Sequence, residues 1–62
     1  MNRPELTPRE KEVALLLEEG CTNVEIAKSL YLSEVTVKKH LKSMMEKFST
    51  SNRTQLLKRL LE

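Results

Sequence analysis

Two capping boxes, Thr7-Pro8-Arg9-Glu10 and Thr22-Asn23-Val24-Glu25, stand in the first half of the chain. In each, a threonine hydroxyl can accept from the backbone N–H three residues on while the glutamate there reaches back, so each marks a helix start. Pro8 suits the first helical position, and Gly20 supplies a left-handed stop between the two helices. Val13, Leu16 and Leu17 carry the first apolar stripe, widened by Ala14 and Leu15, and Val24, Ile26, Ala27 and Leu30 sustain about two turns of the second. Tyr31 and Leu32 break that stripe, and Ser33 is a good N-cap for a third helix. At about 100° per residue its Val37, Leu41, Met44 and Phe48 form one face, with Met45 at the margin. Val35, Lys38, Lys39, Lys42 and Glu46 project from the other. After the cap-rich Ser49-Thr50-Ser51-Asn52, leucines 56, 57, 60 and 61 define a last amphipathic helix. The expected helices run over about 8–19, 23–30, 34–47 and 52–61. The fold class is all-α: a small four-helix domain containing a helix-turn-helix, occupying 1–62 as one unit.

The size and residue inventory narrow the function. Sixty-two residues hold one small core and no large enclosed active site. One cysteine, one histidine and no aspartate supply neither a triad nor a metal shell. No enzyme activity, cofactor or metal is expected. Cys21, in a turn without an adjacent basic residue, reads as structural rather than as a redox switch, and His40 reads as a packing residue at the stripe's border. No apolar run reaches the roughly 20 residues that span a bilayer, and Met1 to Thr7 is not a signal peptide. The expected setting is the bacterial cytoplasm, without a membrane partner.

Charge is unevenly divided: residues 1–34 carry a net −3 and residues 35–62 a net +5. A cationic half can meet a polyanion, although three lysines on an isolated amphipathic helix are more often a solvated face. Here a short capped helix and a brief turn precede the basic helix, which is the plan of a helix-turn-helix whose second member enters the major groove of DNA. Lysine donates to guanine O6 and N7, and an exposed valine touches thymine methyls. Val35, Lys38, Lys39 and Lys42 are placed for such base contacts. Thr22 and Asn23, at the second helix's N-terminus, and the hydroxyls of Ser33 and Thr36 are placed for phosphates.

The residues also resemble a known family, the LuxR/FixJ or GerE type of bacterial transcription-regulator domain. The resemblance is carried by Leu6-Thr7-Pro8-Arg9-Glu10, Glu12-Val13, Gly20, Thr22-Asn23, Glu25-Ile26-Ala27, Leu30, Ser33, Thr36-Val37-Lys38 with His40, Lys47, and Asn52-Arg53-Thr54-Gln55. It implies a four-helix DNA-binding domain, often the output end of a response regulator or quorum-sensing receptor, acting as a homodimer. By position it makes Lys38, Lys39 and Lys42 base contacts and Thr36 a phosphate contact. It makes the last helix, with Leu56, Leu57 and Leu60, a dimer surface. Lys47 and Arg53 complete the expected phosphate contacts, and Leu61 joins the dimer surface. RNA polymerase stands as a further partner. Two positions depart from the family pattern: Val24 replaces the usual basic residue, so that the phosphate contact there is either missing or made by Lys28 instead, and Thr50 stands where an aliphatic residue is usual.

In the last helix, Leu56 and Leu60 pair one turn apart, as do Leu57 and Leu61. One pair is needed for the core and the other is left for a partner, without the sequence deciding which. A helical protein-docking module and the DNA-reading region of a sigma factor are the alternative functions.

Overall fold

The structure, a computed structural model, describes residues 4–62. The first three residues of the expected 1–62 unit, and with them part of the Met1 to Thr7 segment, lie outside the described residues. Four helices follow in order: α1 Pro8–Glu18, α2 Asn23–Leu30, α3 Glu34–Lys47 and α4 Arg53–Leu60. The described residues contain no strand, so the chain is all-α, with α2 and α3 forming the helix-turn-helix. The expected limits differ only at α1, which stops one residue earlier, and at α4, where Asn52 and Leu61 are the caps.

Every helix start is closed by a side chain. Thr7, Thr22, Ser33 and Asn52 accept from the N–H groups of Glu10, Glu25, Thr36 and Gln55. In both capping boxes the glutamate answers, with Thr7 N donating to Glu10 Oε1 at 2.9 Å and Thr22 N to Glu25 Oε1 at 2.7 Å. Orphan N–H groups at these termini are thereby satisfied without tertiary partners.

The first three helix ends share one device. Cys21 N donates to Leu16 O at 3.1 Å, Leu32 N to Ala27 O at 2.8 Å and Thr50 N to Met45 O at 2.9 Å. These are the 6→1 bonds of a Schellman motif, which needs a left-handed residue just before the donor. Gly20 (φ 91°), Tyr31 (φ 57°) and Ser49 (φ 55°) hold those places. Only the first is the residue type suited to it. A non-glycine residue held left-handed costs on the order of 1–3 kcal/mol, and for a bulky side chain it is a clear outlier.

All four helices contribute to one apolar core, in which Val13, Ile26, Val37, Met44 and Leu56 are fully enclosed. Leu15 does not widen the α1 stripe inward as its position suggests; Ala14 takes the inner place and Leu15 faces solvent. Small Ala14 and Ala27 let helices approach closely without voids.

One polar cluster fixes α3 against α1. Glu10 is only 3% exposed. Its Oε1 receives Lys47 Nζ at 2.6 Å as well as the Thr7 N–H, and its Oε2 receives the Ser43 hydroxyl at 2.8 Å. Lys47 also donates to the carbonyl of Glu5 at 3.2 Å. Burial alone pushes the Glu10 carboxyl up. The hydrogen bonds from Lys47, Thr7 and Ser43 outweigh it and hold the pKa at about 2.

Two arginines do the same for α4. The Arg53 guanidinium donates to Asn23 Oδ1 and, at 2.7 Å, to Cys21 O, tying the start of α4 to the turn between α1 and α2. Arg59 lies over the Phe48 ring, 5.6 Å from its centroid, and donates to Phe48 O at 3.0 Å.

Candidate nucleic-acid interface

The outer face of α3 is built by its own periodicity. Burial of Val37, Leu41 and Met44 leaves Val35, Lys38, Lys39, Lys42 and Glu46 outside, and all five are exposed. Val35 is 62% exposed, a large apolar side chain held in solvent on the first turn. Among the described residues no ion pair or hydrogen bond engages the ammonium groups of Lys38, Lys39 and Lys42. Their charge is therefore unneutralised, and the flank of α3 that carries Ser43 and Lys47 is anchored on α1 rather than free to turn.

Around this face the expected phosphate contacts divide into two groups. Ser33 Oγ accepts from Thr36 N at 3.1 Å and lies 3.0 Å from Thr36 Oγ1, so the two hydroxyls share one hydrogen bond at the N-terminus of α3. That pair retains a further donor for an incoming oxygen. At the start of α2, the N–H of Thr22 is taken by Glu25, which leaves those of Asn23 and Val24 without a partner among the described residues. The helix end keeps its positive partial charge, reduced by the Glu25 carboxylate beside it. An open cleft of about 480 Å³ lies there, lined by Thr22, Asn23, Val24, Glu34 and Arg53 among others.

Lys47 and Arg53 form the second group, and both also have partners within the chain. Lys47 is committed to Glu10 and Glu5, and Arg53 to Asn23 and Cys21. Both cations hold helices together within the chain, so a phosphate would have to compete with short internal bonds. The side-chain oxygen of Asn23 is likewise spent on Arg53, leaving its backbone N–H as the group for an anion.

Leu56 and Leu60, expected on a dimer surface, are instead core residues: α4 lies across α1 and α3 with that stripe inward. Leu57 is half-buried and packs against the edge of the core, and Leu61 is 63% exposed, so the second pair is the more outward of the two. Cys21 is half-buried against the core, and His40 is half-buried on α3. No group of three metal-ligating side chains occurs among the described residues, and no described helix is long and apolar enough to cross a membrane. Thr50 fills its unusual place by donating to Met45 O at 3.4 Å, beside its backbone N–H. The sequence reading missed Glu10 as a junction, because a capping box is a local pattern and Ser43 and Lys47 are more than thirty residues away.

The family described as bacterial regulatory proteins, luxR family (GerE), matches residues 4–60. The spore germination protein GerE of Bacillus subtilis (strain 168) is 42% identical over 60 residues, covering 97% of this chain and 81% of that protein. The CsgBAC operon transcriptional regulatory protein of Escherichia coli (strain K12) is 52% identical over 50 residues, covering 81% of this chain. The chain spans only 23% of the length of that regulator and of its Salmonella typhimurium counterpart. Among solved structures, the response regulator ChrA of a heme-sensing two-component system superposes with a TM-score of 0.82 at 37% identity, over 97% of this chain and 32% of that one.

Proposed function

The chain belongs to the luxR family of bacterial regulatory proteins, DNA-binding helix-turn-helix domains that are not enzymes, and from that premise we propose that residues 1–62 are one sequence-reading unit whose α3 enters the major groove. The observation that carries this reading is the lysine face of α3, exposed and without an ion pair or hydrogen bond among the described residues. Val35, Lys38, Lys39 and Lys42 meet base edges. Ser33, Thr36 and the backbone N–H groups of Asn23 and Val24 meet phosphates, with the Thr22 cap setting their geometry. Positioning by phosphates and specification by bases are separate jobs, and here they fall to separate residues.

The test is the anisotropy of a labelled random duplex titrated with the domain from about 50 to 200 mM salt. A steep loss of affinity with salt is expected, because each neutralised phosphate releases counterion. Absence of binding at the low-salt end would favour a docking module instead.

Two copies joined through the outward pair Leu57 and Leu61 would set their α3 helices about 34 Å apart on a roughly palindromic site. Leu61→Asp is then expected to abolish the advantage of a two-half-site probe over a single half-site in a band-shift, without unfolding the domain, because the side chain already faces solvent. An unchanged advantage would rule out this surface. A setting in the bacterial cytoplasm and contact with RNA polymerase are part of the same proposal, supported by relatives that are transcriptional regulatory proteins.

A further inference from the structure

Tyr31 stands in an unusual position on two independent grounds. It occupies the left-handed place of the Schellman turn between α2 and α3, at φ 57° and ψ 43°, where glycine or asparagine would sit without penalty. Its side chain is also 96% exposed, and no hydrogen bond or ring contact within the described residues holds its phenol. Packing therefore does not explain why a bulky aromatic is kept in a strained turn. Ser49 shares the backbone geometry, but it is small and polar.

The location supplies a use. Tyr31 precedes Ser33, the cap of α3, by two residues, which limits their separation to about 7 Å. With the first turn of α3 in a major groove about 12 Å wide and 8.5 Å deep, a residue so close to the cap lies at the phosphate rim rather than over the bases. A tyrosine hydroxyl is one of the donors that fix register on a duplex. We infer that Tyr31 is a backbone-positioning residue, its phenol hydroxyl donating to a phosphate oxygen at the edge of the groove that α3 enters. This rests on the DNA-reading function proposed above. In this left-handed turn the ring is carried in solvent, where its hydroxyl is open to a partner.

The chain has one tyrosine and no tryptophan, so its intrinsic emission reports on this side chain alone. The experiment uses the tightest duplex selected from a random pool, and follows tyrosine emission together with the anisotropy of the labelled DNA. Emission is expected to be quenched as the complex forms. Tyr31→Phe and Tyr31→Gly are each expected to bind about tenfold more weakly on every sequence tested. Their salt slope should stay that of wild type, because a neutral hydroxyl releases no counterion. Tyr31→Gly also relieves the turn and is expected to melt at a higher temperature, so its weaker binding is not a folding defect. Binding of wild-type strength by both variants with unchanged emission would overturn the inference and leave the DNA-reading function standing; a ring reserved for a protein partner would give that result. Weak binding by Tyr31→Gly alone would overturn the hydroxyl assignment. If the wild-type domain binds no duplex, both readings fail together.

Discussion

Glu10→Gln is expected to remove about 3 kcal/mol of stability at neutral pH, and with it most of the acid sensitivity of the fold. The size follows from the carboxyl's pKa of about 2 against an ordinary 4.5, at about 1.36 kcal/mol for each unit. The sign follows from which form the fold favours. A depressed pKa means that the ionised carboxylate is stabilised, so its contribution is complete above about pH 4.5 and disappears as the pH falls through about 2. A chain of this length has roughly 3–9 kcal/mol in all, so losing this contribution brings it near the edge of folding. Denaturant melts from pH 2 to 7 check it: the wild-type midpoint should fall steeply at the acid end while that of Glu10→Gln starts low and stays flatter. Parallel curves would show that the Lys47, Ser43 and Thr7 bonds to Glu10 contribute little. Because the same cluster fixes α3 on α1, DNA affinity should fall with stability in this variant even though no groove-facing residue has changed.

The second large effect belongs to the groove-facing lysines. Lys38→Ala and Lys42→Ala are each expected to cost about 1–3 kcal/mol on the preferred sequence while costing much less on random duplex. Both side chains are exposed and have no partner among the described residues, so helix content and melting temperature should not change. If the two lysines read different bases, the double variant should lose more preference for its best site than either single variant, and any departure from additivity reports their coupling as neighbours one helical turn apart. Lys58→Ala, which removes the same charge from the exposed side of α4, is the control and should leave the preference intact. Equal losses on all sequences for Lys38→Ala and Lys42→Ala would make them phosphate contacts and would move base reading elsewhere on α3.

The helices were legible in the sequence because their boundaries are local. Thr7, Thr22, Ser33 and Asn52 are each N-caps in the structure, and capping needs only a side chain and a backbone three residues on. The inward and outward faces of α3 were legible too, since 3.6-residue periodicity survives any tertiary context. What escaped was every fact that depends on which helix lies beside which. Neither Lys47 nor Arg53 shows in sequence that its charge is spent inside the chain. The leucines of α4 form two equivalent stripes until α1 and α3 are placed against one of them. The left-handed turns at Tyr31 and Ser49 escaped for another reason: the usual signal is glycine or asparagine, and neither is present there.

The closed ends of α1, α2 and α3 have a consequence in time. Each interhelical turn is fixed by hydrogen bonds spanning five residues or fewer, so the chain can settle its reversals before distant segments meet. Folds dominated by such near-neighbour contacts form in microseconds to milliseconds, whereas a ribosome adds only about 5–20 residues each second. The domain would thus complete its fold soon after α4 emerges, with little interval in which its apolar stripes stand open to other chains.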